Sequence, residues 1–156
     1  MTDFISQPTE KVGSNSAYLF GSLAESTDTT ITTAGTFYTL AGTFTNPVKK
    51  NFTASASGIT YTGEKTGEFV INWNVCGSAD SNGTTYSVAI KKNNEVLDDY
   101  KMCTFCKNLG QSYNNNGTVI LELEKNDVIT IVVSSNGSGD VITVGNVNAS
   151  IHSIDI

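Results

Sequence analysis

Apolar residues recur with a period of two along most of this chain, and no other feature constrains its fold as much. Phe69, Ile71, Trp73 and Val75 alternate with Glu68, Asn72 and Asn74. Tyr86, Val88 and Ile90 share one face of the next run, and Val119, Leu121 and Leu123 alternate with Glu122 and Glu124. Val128, Ile129, Ile131, Val132 and Val133 make a run apolar on both sides, the pattern of a strand covered on both faces. A last strand is expected over 146–154. Asn82-Gly83, Asn116-Gly117 and Asn136-Gly137 read as turns, because both residue types accept positive φ at little cost. Lys125-Asn126-Asp127 separates two strands by a tight turn, in which Asp127 is expected to cap backbone N–H groups. Strands between turns at a spacing of roughly eight to twelve residues predict an all-β sandwich or barrel. No capped helical window interrupts the pattern. Trp73 is expected in the core. Tyr61 and Tyr113 sit beside turns and are expected at the surface.

Length and composition narrow the function. A chain of 156 residues makes one domain of ordinary size. Charged residues are 15%, against about 25% in an average protein, and Thr, Ser, Asn and 14 glycines fill the gap. The net charge is -6, and all nine basic residues are lysines. A chain that is acidic and lacks the bidentate arginine has little with which to neutralise phosphate, so nucleic acid is excluded as a partner. No run approaches the roughly 18 apolar residues of a spanning helix, so membrane insertion is not expected. Met1 is not followed by a basic start and an apolar run, which reads as a protein made in the cytoplasm without a secretory signal. The five Asn-x-Ser/Thr sequons, at Asn51, Asn82, Asn116, Asn136 and Asn148, are then coincidences of an Asn- and Thr-rich chain.

Few residues offer chemistry. His152 is the only histidine, and it falls in an alternating terminal run as a polar-face residue; no catalytic role is assigned to it. Cys103 and Cys106 form a single CxxC pair, with Cys76 far away in sequence. One pair is half of a four-thiolate zinc site, and no strand–helix setting suits a redox pair. Inert thiols, a disulfide between Cys103 and Cys106 formed late in an exposed particle, and a metal site all stay open, inert thiols leading; no metal or cofactor is assigned. Glu122 and Glu124, Glu64 and Glu68, and Asp98-Asp99 are carboxylate pairs, but nothing else converges on them as a hydrolase would need.

The first 28 residues differ from the rest. They are Ser-, Thr-, Glu-, Gly- and Asn-rich, with one apolar knot at Ala17-Tyr18-Leu19-Phe20 and then Leu23. Residues 1–28 are read as an arm outside the β domain, either a disordered leader or a segment that docks on a partner with Tyr18, Leu19, Phe20 and Leu23 as its anchors. The β domain is drawn over 29–156.

The order of features within that domain resembles the C1q/TNF-like jelly roll of phage appendage proteins. The resemblance rests on Thr30 to Tyr38, Gly58-Ile59-Thr60-Tyr61-Thr62-Gly63, Thr66-Gly67-Glu68-Phe69-Val70-Ile71, Ser87 to Asn94, and Val119 to Ile129 with its turn at Asn126-Asp127. Asn126 stands where the pattern has glycine, and asparagine also tolerates left-handed φ. The stretch from Asp98 to Asn116, with its Cys pair, reads as an insert. The resemblance implies a homotrimeric sandwich used for adhesion or assembly. Phe69, Ile71, Trp73, Val88, Ile90, Leu121, Leu123, Val128, Ile129 and Ile131 would then serve core or trimer packing. The expected role is that of a non-enzymatic virion protein, a capsid-attached head fibre or decoration protein whose partner is the major capsid protein or another virion protein. The alternatives are a receptor-binding tail-fibre tip or lectin-like module contacting a host-surface glycan, and a small carbohydrate-active enzyme.

Overall fold

The computed structural model describes residues 18–24, 28–55 and 58–154, with the backbone alone for 18–24 and 43–48. Thirteen strands follow one another among the described residues. They are β1 (Tyr18–Ala24), β2 (Thr29–Thr30), β3 (Tyr38–Thr39), β4 (Thr43–Lys50), β5 (Phe52–Ser55), β6 (Gly58–Tyr61) and β7 (Gly67–Ser78). There follow β8 (Thr84–Lys92), β9 (Glu95–Val96), β10 (Met102–Cys106), β11 (Ser112–Leu123), β12 (Val128–Ser135) and β13 (Val141–Ser153). A 3-10 turn, Asp98–Tyr100, leads into β10. The strands form two antiparallel sheets. The first has the order β11-β7-β13-β1-β4, with β2 also on β13; the second has the order β10-β8-β12-β6-β5, with β3 also on β12 and β9 on β8.

Alternation explains how the sheets meet. On β7, Phe69, Ile71, Trp73 and Val75 are buried, and they face Tyr86, Val88 and Ile90 of β8 and Ile129, Ile131 and Val133 of β12 across the sandwich. On β11 the inward positions include Val119 and Leu123, which are buried, and Leu121, which is half-buried. Both faces of β12 are covered over almost its whole length, and only Val128 at its start is half-buried. Phe52, Tyr61 and Phe69 close one end with tilted and edge-on ring contacts at 4.9 to 5.7 Å.

Two glycines let two aromatic side chains lie flat on the inside of the first sheet. Trp73 on β7 pairs with Gly117 on β11, and Tyr113 on β11 pairs with Gly77 on β7. A Cβ on Gly117 would run into the indole, and one on Gly77 into the Tyr113 phenol. Each glycine therefore serves as a seat for the ring opposite. Asn116-Gly117 is consequently no turn; it lies in the middle of β11, because the large partner across the ladder sets the need for glycine. Tyr113 and Tyr61 are buried, not exposed. Tyr113 stacks on Tyr86 at 5.1 Å, and burial pushes its hydroxyl well above the ordinary value.

Between Asp98 and Asn116 the chain forms an edge strand and the start of β11, not an insertion. β10 pairs with β8 from Met102↔Val88 to Cys106↔Thr84. At the opposite edge of the first sheet, β4 carries Pro47, which has no N–H to offer, where its pairing with β1 slips between Phe20 and Ser22.

Asn126 adopts φ 76, and Asp127 accepts the Glu124 N–H at 2.9 Å, so the turn closes as a cap. Burial alone would raise the Asp127 carboxyl. The Glu124 N–H, the Asn93 amide and the Lys92 ammonium outweigh it and hold the group below its ordinary value. At the other end a buried polar knot ties the loops. Asp80 accepts the Tyr86 hydroxyl at 2.7 Å, Asp140 accepts Ser81 at 2.7 Å, and Asp140 also accepts Ser135.

Two measurements check this packing. Gly117→Ala should destabilise the domain by about 1–3 kcal/mol through overpacking and shift the emission of Trp73, the only tryptophan, to longer wavelength. The native spectrum and midpoint would refute the seat. A carboxylate with a depressed folded value adds stability that is present above about pH 4 and is lost as pH falls through that value. Asp127→Asn should therefore remove part of the acid limb of the stability curve, read by denaturant titration, and leave the neutral-to-alkaline limb parallel.

Candidate functional site: an amide-lined sheet face

The residues of β7 that do not face the core point outward with those of β11 and β13. Register sorts them into rows. Asn116, Asn74 and Asn148 form one row, Thr118, Asn72 and Ser150 the next, and Ile120, Val70 and His152 the third. Side chains interlock along these rows. The Asn74 amide donates to Asn116 at 2.6 Å, Thr118 donates to Asn72 at 2.8 Å, and Asn72 donates to Ser150 at 3.2 Å. The Cys76 thiol donates to the Asn74 amide oxygen at 3.1 Å. Cross-strand pairing of this kind fixes rotamers that would otherwise be free. The first two rows are polar, preorganised and uncharged.

Two hollows of about 520 Å³ each lie on this sheet. One is lined by Asn72, Asn74, Asn116, Thr118, Asn148 and Ser150, with Met102 reaching it from the neighbouring edge. The other opens where β13 slips register between Val144 and Asn146, beside Cys76, Asn114 and Gly145.

Along the adjacent edge the surface turns apolar. Ile120 stands 58% exposed at the end of the third row, and Tyr100, Met102, Phe105 and Leu109 are exposed on or beside β10. These are the large hydrophobic side chains left in solvent among the described residues; they are strung along the border of β10 and β11, from Leu109 ahead of β11 to Ile120 near its end.

The residues singled out by sequence separate in space. Tyr18, Leu19, Phe20 and Leu23 are not outside the domain: they lie on β1, paired on one side with β13 (Tyr18↔His152 to Leu23↔Val147) and on the other with β4. The pairings with β13 bridge more than 120 residues of chain, and even those with β4 reach beyond the neighbouring turn, so nothing local marks β1 as a strand. Residues 1–17 lie outside the described residues. His152 is exposed, at the far end of the rows. Glu122 and Glu68 stand opposite each other, both exposed, on open sheet. Among the described residues no three His, Cys, Asp or Glu side chains come together in a group that could hold a metal ion.

The three thiols are free and have different surroundings. Cys103 and Cys106, three residues apart on one strand, project from opposite faces of β10. Cys103 is exposed and within 3.1 Å of the Ser87 hydroxyl; Cys106 is buried in the core, where desolvation pushes its thiol up. A strand cannot bring two such side chains onto one face, so the fold itself opposes a Cys103–Cys106 disulfide. Native protein should alkylate quickly at Cys103 and at Cys106 only after unfolding. Recovery of a 103–106 disulfide from folded, air-exposed protein would contradict this geometry.

In sequence the chain matches no protein-family model and no curated protein. In structure it is similar to murine APRIL, with a TM-score of 0.59 over 89% of this chain and 99% of that one, at 11% identity. PRD1 vertex protein P5 gives a TM-score of 0.59 over 89% and 97%, at 14% identity. Eiger TNF from S. frugiperda gives 0.58 over 90% and 92%, at 9% identity. The fold is a C1q/TNF-like jelly roll. In this jelly roll the amide-lined face belongs to the sheet of β11, β7 and β13, and the apolar edge runs where β11 and β10 border each other.

Proposed function

We propose that this jelly roll is a non-enzymatic structural protein of a virion, a capsid-attached head fibre or decoration protein that assembles as a homotrimer. The observation that carries the reading is the juxtaposition of the uncharged amide face with the apolar edge. An edge that differs from the face it meets makes a head-to-tail contact, and such contacts close into a ring when the rotation allows. Ile120 and its apolar neighbours on one copy would seat on the hollow beside Asn74 and Asn148 of the next. The likeness to PRD1 vertex protein P5 supports a particle component, since it carries the same fold into a vertex protein.

The anchor is assigned to residues 1–17, ahead of β1, because the backbone of Tyr18 to Ala24 is engaged in the sheet. The partner would be the major capsid protein or another virion protein. Deleting residues 1–17 should leave the oligomer intact and abolish co-sedimentation with capsids that lack the protein. Deleting residues 1–28 should instead remove β1 and cost solubility. Co-sedimentation that survives the shorter deletion would sink the anchor.

Ile120→Glu tests the contact. It should yield a folded single subunit in sedimentation velocity with unchanged tryptophan emission, whereas an unaltered oligomer would place the contact elsewhere. A second reading, adhesion to a host-surface glycan, is favoured by a separate pocket on the other sheet.

A further inference from the structure

The outward face of the second sheet carries a pocket of about 300 Å³ between the turn at 33–37 and the 3-10 turn at Asp98–Tyr100. Its floor is made by Ser87 of β8 and Ser134 of β12, which are partners in register. Ser134 is only 5% exposed, yet its hydroxyl makes no hydrogen bond among the described residues. That hydroxyl is reached by solvent through the pocket, so it is free to pair with a ligand group. Phe37 stands on one wall. Asp98 and Lys101 form the rim as an ion pair at 2.9 Å, so the rim carries no net charge while keeping acceptor and donor capacity. On the same face, opposite Thr85 in the ladder, the Phe105 ring is 60% exposed.

We infer that this pocket binds one saccharide unit of an uncharged glycan. Hydroxyls and a neutralised ion pair match the paired donors and acceptors of a sugar's hydroxyl groups, and an exposed ring matches its C–H face. A charged ligand would find one partner of the rim already engaged. The volume lies at the lower end of ligand sites, which suits a single ring and its linkage and not a long oligomer. The inference rests on the adhesion reading; the pocket lies on the sheet opposite the amide face, while Phe105 also belongs to the apolar edge assigned to the trimer contact, so Phe105→Ala is scored together with the solution mass of the variant.

The probes are the methyl glycosides of glucose, galactose, mannose and N-acetylglucosamine, with glycerol as control, titrated into the full chain and followed by protein NMR. At least one glycoside should bind with a dissociation constant in the millimolar range and slow alkylation of Cys103, which neighbours Ser87. Ser134→Val and Phe105→Ala should each weaken that binding by about tenfold, with tryptophan emission unchanged. Absence of binding by all four, binding indifferent to both substitutions, or binding of glycerol alike (an adventitious additive only) would overturn the inference. Attachment of the intact protein to host cells is scored separately: saccharide binding without cell attachment keeps the pocket and removes the adhesion reading.

Discussion

Alternation along β7 is the constraint on which the rest of the molecule depends. Phe69, Ile71, Trp73 and Val75 fill the space between the sheets, and Asn72, Asn74 and Cys76 between them form the centre of the polar face. One strand thus sets both the core and the surface proposed for assembly. A slip of one residue would drive the asparagines into the core and the indole into solvent. The register is pinned from both sides, by β11 over twelve residue pairs and by β13 over ten.

The pairing of β7 with β11 adds a second layer to that constraint. Two large rings lie on two glycines across the same ladder, which keeps the sheet flat enough on its inner side for Tyr86 to stack on Tyr113. The arrangement leaves the Trp73 Nε1, the Tyr113 hydroxyl and the Asn115 amide nitrogen buried without a partner among the described residues. The domain offsets that cost with burial of apolar area on both faces of β12 and with the carboxylate knot around Asp80 and Asp140.

How much was legible in the sequence follows from the range of each interaction. Strands β7, β8, β11 and β12 announce themselves, because alternation is written within a few residues. The turn at Asn126-Asp127 is legible for the same reason, and the order of such features carried the jelly-roll expectation. Gly117 misled because its meaning is set by Trp73, more than 40 residues away. Tyr61 and Tyr113 misled because proximity to a turn says little about which face a side chain takes. β1 and β10 were missed for a common reason: neither alternates cleanly, and each owes its existence to partners, β13 and β8, that the local sequence does not reveal. The face itself was legible only as Asn-rich strands. The rows appear once register places Asn116, Asn74 and Asn148 side by side.

The central claim is that the amide face and the apolar edge complete each other between copies. Its most direct test is the solution mass of the full chain by size-exclusion chromatography with light scattering, over a dilution series. The account predicts about 50 kDa, three times the 16.6 kDa of one chain, held to low concentration. A mass of one chain throughout the series would contradict it.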